Sequence, residues 1–331
     1  MSRPRVGFLG VGWIGRDRME AMLATDAIEA VAIVEPADEL RVEATRIAPG
    51  MTACSSFDAM LDMRLDGVVI ATPSALHAEQ SIRALAAGAA VFCQKPLGRS
   101  AVEVRAVVAA ARAADRLLAI DLSYRFTAAM QAIRPLVRDG AIGHVHAVDL
   151  TFHNAYGPGK PWFFDRAQSG GGCVIDLGVH LVDLALWTLD FPAIATVDAA
   201  LSAGGQALPP GSTQVEDFAV ATLRTAAGTV IRLACSWRLH AGQEAVIGAT
   251  FYGTDGAAAL ANQGGSFYDF TAERFAGTSR TPLAQAPDDW GGRAAADWAR
   301  RLASGDRYDR ANEELVRTAE VLDRIYGSPI S

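Results

Sequence analysis

The fold of this chain is decided near its N-terminus by the stretch Arg5-Val6-Gly7-Phe8-Leu9-Gly10-Val11-Gly12-Trp13-Ile14-Gly15. Residues 6–9 form a short apolar run of strand type, and residues 16–24 continue in a helical pattern. The glycines therefore lie between a strand and a helix, which is the context that a GxGxxG motif requires. There the first glycine permits a tight turn, the second lets backbone approach a pyrophosphate, and the third allows close helix packing. The stretch predicts a dinucleotide site with contacts from Gly10, Gly12, Trp13, Ile14 and Gly15.

The next strand supplies an acid at the expected distance. Residues 28–34 are apolar and β-branched, and they end at Glu35, which lies twenty residues after Gly15. This spacing is typical of the carboxylate that binds the adenosine ribose of NAD. Glu35 would repel the 2′-phosphate of NADP, and since the first basic residue downstream is Arg41, we expect no cation beside that phosphate. The pattern predicts NAD rather than NADP; a surface glutamate at a strand end is the alternative.

Strand and helix patterns alternate as far as residue 121. The strand-type runs lie at residues 67–72, 89–93 and 117–121, and the helical patterns at residues 77–87 and 100–114. Such alternation predicts a parallel, doubly wound sheet. Ligands of these sheets bind at the carboxyl ends of the strands. The residues that follow those ends, and that we expect at the cofactor rim, are Thr72, Pro73, Gln94 and Lys95.

Two basic side chains near this rim are candidates for different roles. Lys95 follows a strand and precedes a proline, so its ammonium could steady a substrate hydroxyl or the alkoxide formed on oxidation. A solvated surface lysine is the alternative. His77 follows Thr72-Pro73 at the beginning of a helix, where a helix-start role competes with a contact to the cofactor.

A second Gly-rich stretch, Ser169-Gly170-Gly171-Gly172-Cys173-Val174-Ile175-Asp176-Leu177-Gly178-Val179-His180, lies near the middle of the chain. Residues 175–189 form an apolar helical pattern, so Asp176 and His180, four residues apart, should project from one helix face. A carboxylate beside an imidazole can orient the ring for acid/base chemistry. The glycines could let backbone approach a flat ligand. The alternative is a helix entrance with Asp176 as a first-turn charge and His180 packed inside.

Taken together, these motifs resemble those of the glucose–fructose oxidoreductase, inositol dehydrogenase and MocA (Gfo/Idh/MocA) family, and the resemblance spans essentially the whole chain. It rests on the GxGxxG turn, on Ala71-Thr72-Pro73-Ser74-Ala75-Leu76-His77, on Gln94-Lys95-Pro96-Leu97, and on the triad Gly170-Gly171-Gly172 leading to Asp176 and His180. The resemblance implies an N-terminal Rossmann domain and a C-terminal α/β domain with a large, mainly antiparallel sheet. It also implies NAD(P)-dependent oxidation or reduction of sugars, cyclitols and related polyols.

The resemblance further assigns roles to individual residues. It implies that Lys95 contacts substrate and the nicotinamide ribose, that His180 is the acid/base, and that Asp176 helps bind substrate. The lysine motif of the family usually begins with glutamate, whereas this chain has Gln94. A neutral amide cannot ion-pair with Lys95 or hold a cofactor hydroxyl in the same way, which puts cofactor affinity and the charge balance at Lys95 in question.

The second half of the chain reads as an α/β domain. Strand patterns at residues 146–153, 197–201, 217–223, 229–237 and 245–252 are separated by turn signals, which indicates an antiparallel sheet, and terminal helices are predicted at residues 293–302 and 311–326. A Gly/Pro-rich loop before the glycine triad carries Asn154, Tyr156 and Trp162, which could hydrogen-bond to or stack on a sugar. Ordinary loop anchoring is the alternative for each of them. Trp237 could edge the pocket or lie in the core.

Composition excludes several classes of protein. The chain has 331 residues, half of them apolar, and a net charge of −7, which gives no reason to bind nucleic acid or an anionic membrane. The four cysteines have no paired spacing, so we expect no metal site and a reducing, cytoplasmic location. Neither a signal peptide nor an uncharged apolar run of membrane-spanning length is expected.

The sequence therefore predicts a Rossmann domain at residues 1–122 and a substrate-binding and oligomerisation domain at residues 123–331. The predicted activity is NAD-dependent oxidation of a secondary hydroxyl of a sugar, cyclitol or related polyol, with Lys95, Asp176 and His180 at the reacting group. The resemblance implies a homodimer or homotetramer assembled through the antiparallel sheet. The alternatives are a reductase or dehydratase-like enzyme with tightly held NAD(P), and a non-catalytic NAD-binding regulator of sugar metabolism.

Overall fold

The structure is a computed structural model that describes residues 2–209 and 211–327, and these form two compact units. The first unit contains the chain up to Asp121 together with Gly292–Val316, and the second contains Leu122–Gly291 and the chain from Arg317 onward. The chain leaves the first unit within one residue of the predicted boundary. It also returns to that unit at Gly292, in a region that the sequence analysis places in the second domain.

The first unit is a doubly wound α/β structure, as predicted. Its six strands are parallel and run in the order β3-β2-β1-β4-β5-β6. Its elements up to Asp121 are β1 (Arg5–Leu9), α1 (Trp13–Leu23), β2 (Glu29–Val34), α2 (Asp38–Ile47), β3 (Thr52–Ala53), α3 (Phe57–Leu61), β4 (Gly67–Ile70), α4 (Ser74–Ala86), β5 (Ala90–Cys93), α5 (Ala101–Ala114) and β6 (Leu118–Ile120). Every residue of β4 and β5 is buried, which explains why these central strands are continuous apolar runs.

The second unit is built on a nine-stranded sheet in the order β15-β14-β13-β12-β7-β11-β10-β8-β9. Its helices and strands are α6 (Ala128–Arg138), β7 (Val145–Asn154), α7 (Arg166–Ser169), a π-helical turn (Val174–Gly178), α8 (Val179–Thr188), β8 (Ile194–Ala203), β9 (Gln206–Ala207), β10 (Phe218–Thr225), β11 (Val230–Ser236), β12 (Ala245–Gly253), β13 (Ala257–Asn262), β14 (Phe270–Ala276) and β15 (Ser279–Ala284). Short 3₁₀ turns occupy Ser123–Phe126 and Pro161–Phe164. Only the β7–β11 pair is parallel, so the sheet is mainly antiparallel, as predicted.

The sheet of the second unit has one packed face and one open face. Strand β10 alternates between buried and exposed residues along its length, which is the two-residue period of a half-buried strand. The packed face contacts α6 and α8. The stretch Arg166–Thr188, which contains α8, is long and apolar enough to cross a membrane, but 89% of its most apolar window is buried inside the structure. This burial is that of a core helix.

Two further helices follow the sheet, near the predicted positions. They are α9 (Arg293–Ala303) and α10 (Glu313–Ile325), joined by a 3₁₀ turn at Arg310–Asn312. Helix α9 packs in the first unit, where Trp298 is fully buried with its ring centroid 6.0 Å from that of Phe92. A Cβ atom on Gly67 would lie 2.7 Å from the Trp298 ring, so glycine at the start of β4 makes room for the indole. The buried Trp298 side chain explains why α9 belongs to the first unit.

Replacing Trp298 with alanine tests this assignment. We expect the Trp298→Ala variant to lose about 3–5 kcal/mol of unfolding free energy, because it empties a fully buried indole volume. Chemical denaturation of the purified protein measures the change. The matched control is Trp13→Ala, whose side chain is 66% exposed and should cost less than about 0.5 kcal/mol. Equal losses for the two variants would contradict the placement of α9.

Candidate functional site

The Gly-rich turn of the first unit is shaped by close backbone approach. Gly10 has φ +83°, and a Cβ atom there would lie 2.7 Å from the carbonyl oxygen of Ala71. A Cβ atom on Gly15 would overlap the carbonyl oxygen of Gly10. Gly12 occupies the N-cap of α1, and because it has no side chain, the N–H groups of the first turn are left for another acceptor. This cradle fits the pyrophosphate of a dinucleotide, with Trp13 and Ile14 at the start of the helix.

Glu35 lies against this turn. One of its carboxylate oxygens accepts the N–H of Val11 at 2.9 Å, and the other accepts the N–H of Ala37 at 3.0 Å. The expectation that no cation lies nearby is wrong, because Arg41 donates to the backbone carbonyl of Glu35 at 3.0 Å. Arg41 is also paired with Asp38, one α-helical turn earlier, so its charge is balanced within α2. The Glu35 carboxylate therefore faces the Gly-rich turn, and the nearby Arg41 guanidinium is already paired with Asp38.

Thr72 and His77 connect two strand ends of the same sheet. The Thr72 hydroxyl donates to Gln80 at 2.6 Å, while Pro73 occupies the N-cap of α4. The His77 ring is buried, with Nδ1 2.7 Å from the carbonyl oxygen of Pro96 and Nε2 2.7 Å from that of Thr72. Burial lowers the pKa of this imidazole and outweighs the two carbonyl oxygens, which favour the charged ring. Both ring nitrogens are thus engaged with backbone, so His77 holds two loops together instead of offering a polar contact to cofactor.

The lysine motif follows β5 and adjoins a buried polar cluster. Gln94 donates through Nε2 to the Oδ2 atom of Asp121 at 2.7 Å, and Arg18 donates through Nε to the same oxygen at 2.7 Å. All three side chains are buried, and Lys95, which follows Gln94 in the chain, is half-buried. Burial disfavours the guanidinium cation, but the adjacent Asp121 carboxylate outweighs it and raises the pKa of Arg18. The amide of Gln94 is therefore directed at a carboxylate of the neighbouring strand end.

In the second unit, Asp176 and His180 lie on a buried segment that is not a regular α-helix. Asp176 is in the π-helical turn Val174–Gly178, and His180 is the second residue of α8. The single α-helix predicted for residues 175–189 is therefore correct only for its second part, and the inference from 3.6-residue spacing does not hold across the turn. Asp176 is the one residue of the stretch 171–180 that is not buried. A mostly apolar segment thus presents one carboxylate at its surface.

Aromatic side chains hold this pair of residues. Trp237 is buried and donates its indole N–H to Oδ2 of Asp176 at 3.0 Å, so it serves both the core and the candidate site. The ring of Tyr124 lies 4.8 Å from that of His180 and 4.9 Å from that of Trp290, measured between centroids. Burial, together with the charges of Tyr268 and Asp176, raises the pKa of the Tyr124 hydroxyl. The Tyr124 hydroxyl is therefore a neutral donor, and the Asp176 carboxylate lies close enough to contribute to its raised pKa.

The glycine triad that precedes this segment meets the protein itself. Oε1 of the fully buried Glu216 accepts the N–H groups of Gly172 at 2.9 Å and Val174 at 3.0 Å, and the hydroxyl of Tyr326 at 2.7 Å. A Cβ atom on Gly172 would overlap the backbone carbonyl oxygen of Glu216, and one on Gly171 would overlap the Tyr326 hydroxyl. The predicted role of these glycines, close approach to a flat ligand, is replaced by close approach to Glu216 and Tyr326.

We call the contact of Glu216 and Tyr326 with the glycine triad the clamp. Burial affects the pKa of both of its side chains. Burial raises the pKa of the Glu216 carboxyl, against the stabilisation that its backbone and Tyr326 donors give to the anion. It likewise raises the pKa of the Tyr326 hydroxyl, and the neighbouring Glu216 charge acts in the same direction. Tyr326 therefore stays a hydrogen-bond donor to Oε1, which fixes the entrance to the segment that carries Asp176.

Two of the three candidate residues of the predicted substrate loop make hydrogen bonds within the protein. Asn154 accepts the N–H of Tyr156 at 2.7 Å, and the Tyr156 hydroxyl donates to Glu244 at 3.1 Å. Trp162 stacks on Phe163 with centroids 3.8 Å apart, and the neighbouring Phe164 contacts Trp237 edge-on at 5.8 Å. The loop thus reaches the indole that binds Asp176, through aromatic contacts within the second unit.

Sequence reasoning missed the clamp residues Glu216 and Tyr326 and the cluster residues Arg18 and Asp121. The available signals were weak: a glutamate immediately before a predicted strand, and an aspartate at the end of another. Among residues 2–209 and 211–327, no group of three or more His, Cys, Asp and Glu side chains could hold a metal ion. The four cysteines are free thiols, three of them buried.

Comparisons with known proteins match both halves of the chain. A family described as "Oxidoreductase family, NAD-binding Rossmann fold" matches residues 4–122, and one described as "GFO/IDH/MocA C-terminal domain" matches residues 130–259. D-glucoside 3-dehydrogenase of Escherichia coli (strain K12) is 28% identical over 77% of this chain and 76% of its own length. Inositol 2-dehydrogenase of Rhizobium meliloti (strain 1021) is 30% identical over 78% of this chain and 76% of its own.

A solved structure supports the fold. Levoglucosan dehydrogenase in complex with NADH and levoglucosan superposes with a TM-score of 0.82 at 23% identity, covering 99% of this chain and 97% of that chain. At this level of identity the similarity concerns the architecture alone. It confirms the predicted combination of a parallel Rossmann sheet with a large, mainly antiparallel second sheet.

The clamp at the glycine triad can be tested by adding one methyl group. We expect Gly172→Ala to lose about 1–3 kcal/mol of unfolding free energy or more, because the new Cβ atom would overlap a backbone carbonyl that already accepts the N–H of Cys173. Chemical denaturation measures it. The control is Gly159→Ala, where a Cβ atom meets nothing within 4 Å, and where we expect a change below about 0.5 kcal/mol. A Gly172→Ala variant as stable as this control would show that the segment is not clamped.

Proposed function

Because this chain belongs to the Gfo/Idh/MocA family of NAD-binding oxidoreductases, we propose that it oxidises a secondary hydroxyl of a sugar, cyclitol or related polyol with NAD. Family membership makes it an NAD(P)-dependent oxidoreductase acting on CH–OH groups. The observation that carries the substrate proposal is the segment of Asp176 and His180. This mostly apolar segment presents the partly exposed carboxylate of Asp176, which accepts the indole N–H of Trp237. The same segment carries His180, whose ring packs on that of Tyr124. Carboxylates and aromatic rings are suited to the hydroxyl groups and CH faces of polyols.

The first unit supplies the residues that would hold the cofactor. The cradle formed by Gly10, Gly12 and Gly15 would take the pyrophosphate at the start of α1. Glu35 would accept a hydroxyl of the adenosine ribose, since each of its oxygens keeps a second lone pair beyond its backbone bond. Trp13, Ile14, Thr72 and Pro73 would line the same rim. When bound, NAD supplies the hydride acceptor, and the remaining chemistry belongs to protein side chains.

Proton transfer and charge stabilisation fall to three side chains. His180 takes the hydroxyl proton of the substrate as general base, which contributes ~10²–10⁴ to the rate in typical enzymes. Lys95 stabilises the developing negative charge on that oxygen. Asp176 accepts a hydrogen bond from a neighbouring hydroxyl while Trp237 fixes its orientation. Asn154, Tyr156 and Trp162 are the further candidates for substrate contact.

The identity of Lys95 supports its role. Of the 30 lysine and arginine residues in the chain, only Lys95 and Lys160 are lysine. A chain that uses arginine nearly everywhere else has, at the end of β5, the compact point charge of an ammonium group. Such a group can approach one oxygen atom, whereas a guanidinium presents a planar fork suited to bidentate partners.

A substrate screen tests the proposed function directly. The change in nicotinamide absorbance is followed with NAD and a panel of monosaccharides and cyclitols, and we expect turnover of at least one polyol. Binding of NADH without turnover of any of them would favour the non-catalytic regulator. Release of bound NAD(P) only on denaturation would favour the enzyme with a tightly held cofactor.

We also propose that the protein forms a homodimer or homotetramer. Its basis is the open face of the nine-stranded sheet, where Val220 on β10 and Tyr252 on β12 are 40% and 38% exposed. Apolar side chains on an open sheet face are suited to a second copy of the chain. Light scattering on the purified protein distinguishes this assembly from a monomer.

Cofactor choice yields a first prediction for this function. We expect NADH to bind at least about tenfold more tightly than NADPH, because the Glu35 carboxylate repels a 2′-phosphate by about 1.4 kcal/mol or more. Glu35→Ser should narrow this ratio about tenfold, since it removes that charge and leaves the Arg41 guanidinium near the site. Fluorescence titration measures both affinities without any substrate. Glu39→Ser, which removes an exposed acid from the following helix α2, is the control, and an equal effect there would exclude the specific role of Glu35.

The lysine yields a second prediction. Lys95→Met should lower kcat by about 10²–10³ while NADH affinity changes less than about threefold, because the ammonium acts on charge that develops in the transition state. Steady-state kinetics and fluorescence titration separate the two effects. Lys160→Met is the matched control, since it removes the one other lysine. Full activity of Lys95→Met would make Lys95 a surface charge.

The histidine yields a third prediction. His180→Asn should lower kcat at least about a hundredfold with little change in NADH affinity, because it removes the general base. The control is His153→Asn, whose ring contacts the Ser236 hydroxyl at 2.8 Å and stacks on Phe218. If His180→Asn keeps its rate and His153→Asn loses it, the base is His153.

A further inference from the structure

The buried cluster of Arg18, Gln94 and Asp121 shows what the neutral Gln94 of the lysine motif contacts. Oδ2 of Asp121 accepts from both Gln94 Nε2 and Arg18 Nε, each at 2.7 Å. The side chain of Asp121 is 2% exposed and that of Arg18 is 7% exposed, so their charges compensate each other in a medium that poorly solvates either. Gln94 adds a hydrogen bond to this pair and no charge.

This contact fixes the orientation of the amide. A carboxylate can only accept hydrogen bonds, so the group of Gln94 that faces Asp121 must be its NH₂. The carbonyl oxygen Oε1 is therefore directed away from Asp121, on the residue that immediately precedes Lys95. An amide oxygen is an acceptor for a hydroxyl group, as a carboxylate oxygen is, but without a full negative charge.

We propose that Asp121 is a positioning residue that orients Gln94, so that Gln94 Oε1 serves as a neutral acceptor for a cofactor hydroxyl beside Lys95. In this chain the carboxylate beside the lysine motif belongs to Asp121, at the end of the neighbouring strand, where it pairs with Arg18. A glutamate at position 94 in this chain would put a second buried carboxylate against Asp121, around a guanidinium that already pairs with both Asp121 and the half-exposed Asp17. We therefore expect positions 94 and 121 to tolerate an exchange of amide and carboxylate only when both are changed together. The inference rests on the proposed function for the identity of the cofactor.

The test uses the full-length chain and five variants at mildly alkaline pH. Gln94→Glu and Asp121→Asn are compared with the double variant Gln94→Glu/Asp121→Asn, which keeps one carboxylate, one amide and the total charge of the cluster. Asp183→Asn is the control, because it breaks a different buried pair, with Arg125 at 2.7 Å, in the second unit. Chemical denaturation gives stability, and fluorescence titration gives the dissociation constant of NADH. Neither readout requires turnover, so the test stands if no polyol is oxidised.

We expect each single variant to lower the denaturation midpoint and to weaken NADH binding about tenfold or more, corresponding to about 1.4 kcal/mol. The double variant should recover the wild-type dissociation constant to within about threefold, whereas Gln94→Glu combined with Asp183→Asn should not recover. Asp183→Asn alone should lower the midpoint and leave NADH affinity unchanged.

Three results would overturn the proposal. A Gln94→Glu variant that is as stable and binds NADH as tightly as the wild type would show that the two carboxyls are not in conflict. Additive effects in the double variant would show that the residues act independently. Recovery of stability without recovery of NADH affinity would reduce Asp121 to a structural role and remove Gln94 from the cofactor.

Discussion

In each of the two units, the segment that carries candidate functional residues depends on backbone that passes closer to another group than a Cβ atom allows. In the first unit the carbonyl oxygens of Ala71 and Gly10 occupy the space of a methyl group at Gly10 and Gly15. In the second unit the Glu216 carbonyl and the Tyr326 hydroxyl do the same at the glycine triad. The consequence differs between the two units. In the first, the close approach leaves backbone N–H groups open to an anion. In the second, the backbone closes around a carboxyl group of the chain itself, that of Glu216.

Buried ion pairs support the segments that carry the proposed functional side chains. Arg18 and Asp121 meet behind the lysine motif, and Arg125 binds Asp183 of α8 through two hydrogen bonds while its guanidinium lies 5.5 Å from the Trp187 ring. Such pairs stabilise little in total, but loss of one partner leaves a buried charge, which costs about 3–5 kcal/mol. They therefore act as constraints on geometry. Arg125 follows Tyr124, so its ion pair ties the tyrosine that packs on His180 to the helix that carries His180.

The parts predicted correctly from the sequence are those whose cause is local. The glycine turn and the acid at the end of β2 are encoded within one strand–helix–strand segment, where periodicity and turn chemistry decide the structure. The supports of the site were missed because their partners lie far apart in the chain, 44 residues between Gly172 and Glu216 and 110 between Glu216 and Tyr326. The π-helical turn was missed for a different reason, since an apolar pattern does not distinguish it from an α-helix over five residues.

The return of α9 to the first unit has a consequence for synthesis of the protein. During translation the residues up to Asp121 emerge first, but the volume that the Trp298 indole fills in their core stays empty until the ribosome has made the whole intervening second-unit segment, Leu122–Gly291. A domain that folds as a unit on emergence would need its last helix early. The Rossmann sheet of this chain instead passes through a stage with its strands synthesised and its apolar face incomplete, so completion of the first unit must wait for synthesis of the second.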